Sequence, residues 1–327
     1  MLQDKPTETP VFIVGCDRSG TTLLRLMLNT GPDLYIPAES RFFGRLQTFQ
    51  HDYGDFTQTT QRYFFIRDLQ RNQATKKTDS FSIFNLTPGE AEAAIQAYAP
   101  TNLAGATTAL YRAAAHAQGK LRWGDKTPRY IEEIDLLAEA FPKAQFVHVI
   151  RDGRDVAISI RRAGWVGNIP QIAEYWKQLV LTGQKSGCQL GPGRYREIRY
   201  EQLVTHPEAI LKDLCSWLNL QYTPSMLEYH RQSEASIPQV HADLFKLTKQ
   251  PVNASRVGKW RVELKESEIF DFENIAGDLL NDLGYELSGK QFSLKTRLHR
   301  HFKDTAQAVY AFLKSKYKKV ILDELLS

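Results

Sequence analysis

Residues 11–22 read VFIVGCDRSGTT. The β-branched and aromatic residues Val11–Val14 run into a glycine, the pattern of a short buried strand. From Thr21 onward Leu23, Leu24, Met27 and Leu28 recur at helical spacing, and Gly31-Pro32 marks where that helix should stop. Strand, glycine loop and helix together open an α/β fold in which the backbone N–H groups at a helix start face an anion. The spacing Gly15-x-x-x-x-Gly20 fits a phosphate-binding loop. Thr21, however, stands where a nucleoside-triphosphate loop carries its lysine. The same spacing also suits a plain strand-to-helix turn, so the rest of the chain has to decide between them.

Working outward, Leu34–Pro37 reads as a second strand and leads into Ala38-Glu39-Ser40. A third, QFVHVI at 145–150, runs straight into Arg151-Asp152-Gly153-Arg154-Asp155 and another helical segment. A fourth, RYREIR at 194–199, precedes Tyr200-Glu201, and Ile131–Ala140 reads as helix. This alternation predicts an α/β, P-loop-like parallel sheet flanked by helices on both faces. Ligands of such sheets sit at the carboxyl ends of the strands, and Glu39, Arg151 and Tyr200 each fall just past a predicted strand end.

The expected organisation is one α/β domain over 1–290, with a helical insertion at about 42–122 and a basic C-terminal helical extension over 291–327. The insertion is rich in Gln, Thr and aromatics, with an alanine-rich helical stretch near 89–118. Its aromatics at 42–66, among them Phe42, Phe43, Phe49, Tyr53, Phe56, Tyr63, Phe64 and Phe65, read first as core of the insertion. Stacking on an acceptor sugar, tyrosine or lipid-like chain is the alternative. Residues 232–258 lack periodicity and read as a lid or a surface loop. In the extension Leu294, Leu298, Phe302, Val309, Phe312 and Leu313 share one face. Packing on the domain is its first reading, and a homodimer or membrane-surface contact the alternative.

With 42% hydrophobic and 24% charged residues in 327, the chain has the composition of a folded globular protein rather than a disordered or collagen-like one. Its net charge of +5 suits an anionic ligand. No basic stripe interleaved with aromatics calls for nucleic acid, and the pairs Arg161-Arg162 and Lys318-Lys319 read as solvated faces. The odd count and wide scatter of the 3 cysteines, Cys16, Cys188 and Cys215, argue against a disulfide framework or a zinc site; Cys16 reads first as a small buried filler, with a reactive thiol in the loop as the alternative. The polar start MLQDKPTETP reads as neither signal peptide nor anchor, so a reducing cytoplasm is the expected compartment.

Ser19, Thr21 and Thr22 add hydroxyl donors to the loop, and Arg18 adds a guanidinium fork suited to phosphate oxygens. A triphosphate enzyme also needs a lysine on the terminal phosphates and a magnesium carboxylate. Thr21 replaces the first, and no apolar strand ends in an aspartate to supply the second. The expected ligand carries fewer phosphates and needs no metal. A second element, RDGRDVAISI at 151–160, sends Arg151 out of a strand and places Ser159 on the helix that follows. The two can surround a separate anion; surface pairing of Arg154 with Asp155 is the plainer reading.

RSGTT at 18–22 together with RDGRDVAIS at 151–159 resembles the paired signatures of sulfotransferases that use 3′-phosphoadenosine 5′-phosphosulfate. The resemblance implies that Arg18, Ser19, Gly20, Thr21 and Thr22 hold the 5′-phosphosulfate and that Arg151 and Ser159 hold the 3′-phosphate. It accounts for the missing lysine, since this donor has no triphosphate chain. Tyr200-Glu201 resembles the family's Tyr-Glu near the adenine, and Arg256-Val-Gly258-Lys259-Trp260 its late basic loop over the nucleotide. Gly124-Asp125-Lys126-Thr127-Pro128 resembles a segment of the carbohydrate and tyrosylprotein branches. The match spans about residues 11–285, and these branches and the bacterial one stand nearer than the cytosolic small-molecule branch.

The activity implied by the resemblance is transfer of a sulfuryl group to a hydroxyl acceptor, with adenosine 3′,5′-bisphosphate as product. Charge on the departing phosphate must be neutralised, for which Lys126 is the candidate and Arg18 the reserve. The acceptor proton needs a base, and Glu39 matches the glutamate of the tyrosylprotein-like branch. A carboxylate capping a helix start is its alternative role. The cytosolic branch uses histidine, for which His51, His116 and His148 are available, His148 inside a predicted strand. Asp125 would orient Lys126 or bind substrate. Two rivals stand beside this reading: a kinase-like triphosphate enzyme, and a nucleotide-binding protein without catalysis.

Overall fold

The structure is a computed structural model and describes residues 9–48, 53–70, 81–165, 167–231 and 250–289. At its centre five parallel strands lie in the order β2-β3-β1-β4-β5. They are β1 (Val11–Gly15), β2 (Leu34–Tyr35), β3 (Arg122–Lys126), β4 (Gln145–Ile150) and β5 (Tyr195–Arg199). Four match the predicted strands, with β2 ending at Tyr35 instead of Pro37.

The fifth strand, β3, corrects the sequence reading. Arg122-Trp-Gly-Asp-Lys has no apolar run, yet it lies between β1 and β2, with Gly124 opposite Val11. A Cβ at Gly124 would come within 2.5 Å of the Val11 carbonyl oxygen, so glycine permits the close pairing. Lys126 therefore ends an inner strand and is buried.

Alternation along β1 builds two cores. Val11 and Ile13 face Leu24, Met27 and Leu28 of α1 (Thr21–Thr30), together with helices that follow β5. Phe12 and Val14 face the other way, into a larger aromatic core. There Phe12 stacks on Phe146 at 5.3 Å and meets Trp123 edge-on at 6.0 Å.

Between β2 and β3 lie α2 (Phe43–Gln47), α3 (Thr59–Gln70), α4 (Pro88–Tyr98) and α5 (Leu103–Ala117). The alanine-rich stretch is thus two helices: Ala99 turns left-handed ahead of Pro100, and Asn102 caps α5 through the Gly105 N–H. Phe42, Phe43, Tyr53, Phe56 and Phe65 are buried as core, while Tyr63 is exposed; Phe49 lies outside the described residues.

After β3, Pro128 opens a 3-10 turn (Pro128–Glu132) and α6 (Ile134–Ala140) follows, so the predicted single helix is split. Next come α7 (Gly153–Arg162) and the long α8 (Ile169–Leu190). Beyond β5 lie α9 (Tyr200–Thr205), α10 (Pro207–Leu218), α11 (Trp260–Glu263) and α12 (Glu266–Asp282). Most of the predicted lid, residues 232–249, and the extension 291–327 lie outside the described residues. No described helix is long and apolar enough to cross a membrane.

Candidate active site

The loop after β1 curls because two residues adopt left-handed backbone, Arg18 at φ 70° and Gly20 at φ 99°. A Cβ at Gly20 would sit 2.4 Å from the Tyr200 ring, so this glycine is required both by its dihedral and by its neighbour. Gly20→Ala should therefore cost about 1–3 kcal/mol of unfolding free energy, read as a lowered denaturation midpoint, and loosen Tyr200 from the loop.

Thr21 and Thr22 are the first two residues of α1. Ser19 is wholly buried, and its hydroxyl has no hydrogen-bond partner. An unpartnered buried hydroxyl at a helix start fits a loop that receives an anion.

The two sequence signatures meet in space. Arg18 donates from Nε to the Ser159 hydroxyl at 3.2 Å, although they are 141 residues apart. Arg151 donates to the Arg18 carbonyl at 3.2 Å and to the Arg256 carbonyl at 2.7 Å. Its guanidinium lies 4.4 Å from the Tyr200 ring centre. Arg18, Ser159, Arg151, Tyr200 and Arg256 are thus one cluster at the ends of β1, β4 and β5.

The basic loop is tied down through its backbone. The Asp155 carboxylate accepts from the N–H of Gly258 at 2.7 Å and of Trp260 at 2.9 Å. Trp260 is buried with Arg154 3.6 Å from its ring centre, and Lys259 stays half-buried beside it. The plainer reading of Arg154–Asp155 as a surface pair is corrected here. Arg154 is buried and bonds Asp152 and Glu273, the latter at 2.6 Å. Glu201 accepts from the Asp152 N–H and from the Tyr285 hydroxyl, both at 3.0 Å, which pins the start of α7.

On the other side of β1, Lys126 Nζ donates to Glu39 Oε1 at 2.7 Å. Arg41 holds the second carboxylate oxygen at 2.6 Å from a left-handed backbone at φ 52°. Glu39 is therefore bonded to side chains, where a helix-start cap would bind backbone N–H groups. The residues after each are also joined: the Ser40 N–H donates to Thr127 Oγ1 at 3.2 Å, and Tyr130 bonds the Ser40 hydroxyl at 2.9 Å.

Burial pushes the Glu39 carboxyl up, but the charges and hydrogen bonds of Lys126 and Arg41 outweigh it and bring the pKa down to about 2. Burial also lowers the Lys126 ammonium, against the pull of Glu39. Because the Glu39 pKa falls on folding, this carboxylate stabilises the fold above its ordinary value of 4.5, and the contribution is lost as pH falls toward 2. Acid unfolding of a Glu39→Gln variant should show a flatter limb across that window than the parent protein, measured by circular dichroism.

Asp125 points to the opposite face of β3 and bonds the Tyr111 hydroxyl; burial raises its pKa. Among the histidines, His148 is packed inside β4 and bonded to Tyr195 at 2.6 Å, and burial with the nearby Arg199 charge brings its pKa to about 3. His116 is exposed at the end of α5, and His51 lies outside the described residues.

Sequence reasoning missed Arg25, Arg41 and Asp155. Arg25 had a signal, an arginine beside the apolar stripe of α1; it is buried, desolvation lowers its pKa to about 10, and it senses the charge of Glu39. Arg18 likewise senses Arg151, Asp17 and Glu39. Four cations, Arg18, Arg25, Arg41 and Lys126, thus act electrostatically on the one carboxylate of Glu39, a positive surrounding suited to an anionic ligand.

A parallel α/β sheet with paired arginines at neighbouring strand ends, one on a glycine loop, is the arrangement of the nucleotide-phosphate class of folds and is suited to holding a phosphate-bearing anion. The sulfotransferase family model matches residues 10–224, and the chain belongs to that family. It is 25% identical over 286 residues to the protein-tyrosine sulfotransferase of Drosophila melanogaster, covering 84% of this chain and 51% of the relative. It is 26% identical over 306 residues to the nodulation protein NoeE of Sinorhizobium fredii, covering 85% and 66%. The chain thus spans about half the length of the fly relative and two thirds of the bacterial one. Among solved structures, the sulfotransferase domain from the Synechococcus PCC 7002 olefin synthase shares the fold at TM-score 0.61 and 23% identity, covering 88% of this chain and 99% of that domain. The sulfotransferase domain from the curacin biosynthetic pathway does so at TM-score 0.59 and 25% identity, covering 86% and 99%.

Proposed function

We propose that this protein transfers a sulfuryl group from 3′-phosphoadenosine 5′-phosphosulfate to a hydroxyl acceptor, leaving adenosine 3′,5′-bisphosphate. The observation that carries this reading is the Arg18–Ser159 bond with Arg151 on the Arg18 carbonyl. It joins a 5′-phosphate loop to a 3′-phosphate pair, while Thr21 stands where a triphosphate enzyme needs lysine.

In this reading Ser19, Gly20, Thr21 and Thr22 offer hydroxyl and backbone N–H donors to the 5′ end. Arg151 and Ser159 hold the 3′-phosphate, Tyr200 lies beside the base, and Arg256, Gly258, Lys259 and Trp260 form the loop over the nucleotide. Lys126 and Arg18 neutralise charge that develops on the departing phosphate. Glu39 takes the acceptor proton. While paired with Lys126 and Arg41, its pKa of about 2 makes it a poor base. Turning Lys126 toward the donor would remove the principal charge that depresses this pKa, and burial would then raise its basicity.

A tyrosyl hydroxyl of a protein is the first acceptor class to test, supported by the similarity to a protein-tyrosine sulfotransferase. No metal enters this reading. A reducing, cytoplasmic compartment belongs to it, supported by three unpaired cysteines. A homodimer or membrane-surface contact through 291–327 is supported by the charge and apolar spacing of that stretch.

Calorimetry with adenosine 3′,5′-bisphosphate, without magnesium, tests the reading. Micromolar or tighter binding, with ATP–magnesium binding more weakly, is expected; the reverse order would return the loop to the triphosphate class. Binding of the bisphosphate with no transfer from labelled donor to tyrosyl, carbohydrate or lipid hydroxyls would favour a non-catalytic binder.

A further inference from the structure

Three strand ends carry the proposed donor site: β1 with Arg18, β3 with Lys126, and β4 with Arg151. Two adjacent residues of α8 touch a group next to each. The Tyr175 hydroxyl donates to the carboxylate of Asp17, the residue before Arg18. The same hydroxyl accepts from Arg129 at 3.2 Å, on the turn beyond Lys126. Trp176, wholly buried, donates from its indole N–H to the Arg151 carbonyl at 3.0 Å.

Asp17 is itself buried, and Arg129 adds its guanidinium carbon 5.5 Å from the Tyr175 ring centre. Each partner sits within a few residues of a group that would touch the donor, while Tyr175 itself belongs to a helix on the sheet face. We propose that Tyr175 is a positioning residue, a strut that fixes the loop carrying Arg18 against the strand end carrying Lys126 and so aligns the 5′ half of the site, leaving the 3′ half to Trp176. This rests on the proposed donor reading.

The separation between halves gives the test. The bond network through Tyr175 touches the neighbours of Arg18 and Lys126. Arg151 meets the Arg18 carbonyl but has a second hold of its own, the Trp176 indole on its carbonyl, so loss of the Tyr175 hydroxyl should fall mainly on the 5′ side. Calorimetry would compare adenosine 3′,5′-bisphosphate with adenosine 3′-monophosphate in the full chain. The ratio of the two affinities isolates what the 5′-phosphate contributes.

Tyr175→Phe should lower that ratio by about tenfold while the 3′-monophosphate affinity stays within about twofold, the size expected for a lost alignment in a charged site. Asp17→Asn keeps a carbonyl acceptor for Tyr175 and removes a negative charge that Arg18 senses, so it should keep or raise the ratio and not lower it. Equal weakening of both nucleotides in Tyr175→Phe would mean a general structural defect and overturn the strut. An unchanged ratio would overturn it too, as would an equal loss in Asp17→Asn, which would assign the effect to the Asp17 charge. Failure of the parent protein to bind the bisphosphate at all would instead sink the donor reading itself, a separate outcome.

Discussion

Lys126→Ala lowers sulfuryl transfer by about 10²–10³-fold in kcat, the range for removing one preorganised donor from a site of developing negative charge. The expectation comes from where the ammonium sits. It is buried at the end of an inner strand, 2.7 Å from the proposed base, so it has only to turn from Glu39 toward the donor and not to shed a shell of solvent. The substitution also removes the principal charge that lowers Glu39, and the carboxyl should titrate higher in the variant. The acid limb of the pH–rate profile should therefore move upward in pH, which a purely structural lysine would not cause. Steady-state kinetics with labelled donor, using whichever hydroxyl acceptor the parent protein sulfates, read both effects. A variant with parental kcat and an unmoved acid limb would remove Lys126 from the chemistry.

Arg151→Ala weakens adenosine 3′,5′-bisphosphate by about 30–1000-fold, the equivalent of about 2–4 kcal/mol for a charge-assisted, largely desolvated phosphate contact. Arg151 also supports the Arg18 carbonyl and the Arg256 carbonyl, so some of the loss would be indirect. Comparing ligands separates the two. Adenosine 5′-monophosphate, which lacks the 3′-phosphate, should lose much less, about threefold or under, if Arg151 acts mainly on that group. Equal losses for both nucleotides would make Arg151 a scaffold for the loops instead. Ser159→Ala should show the same ligand pattern with a smaller effect, since a neutral hydroxyl contributes less than a guanidinium.

Much of this site was legible because its chemistry is local in sequence. Gly20, Arg18 and the hydroxyls sit in one strand-to-helix turn, and Arg151 leaves a strongly apolar strand, so pattern and position agree. β3 was invisible for a physical reason. Its residues, RWGDK, are chosen for pairing closely with β1 and for what they present at the strand end, and only Trp123 has strand character. The same blind spot hid the status of Lys126, whose burial depends on strands placed either side by distant segments. Asp155 was missed because its role exists only in tertiary contact, with the backbone of a loop 103 residues away. Arg41 lies two residues from Glu39 and meets it through a left-handed backbone at φ 52°, a turn that an arginine does not signal. Arg154, taken as half of a surface pair, shows the converse error, since short-range charge spacing cannot reveal a partner on α12.

Arg151 already uses one edge of its guanidinium on the carbonyl of Arg256. In the proposed function, therefore, nucleotide and loop draw on a common donor, and each changes the free energy of the other by an equal amount. The residence time of spent nucleotide then becomes a property of the loop's own docking equilibrium. Asp155 adjusts that equilibrium by accepting from the Gly258 and Trp260 N–H groups at the far end of the loop. Evolution could thus retune product departure through a carboxylate whose bonds go to the loop backbone, leaving every phosphate contact as it is.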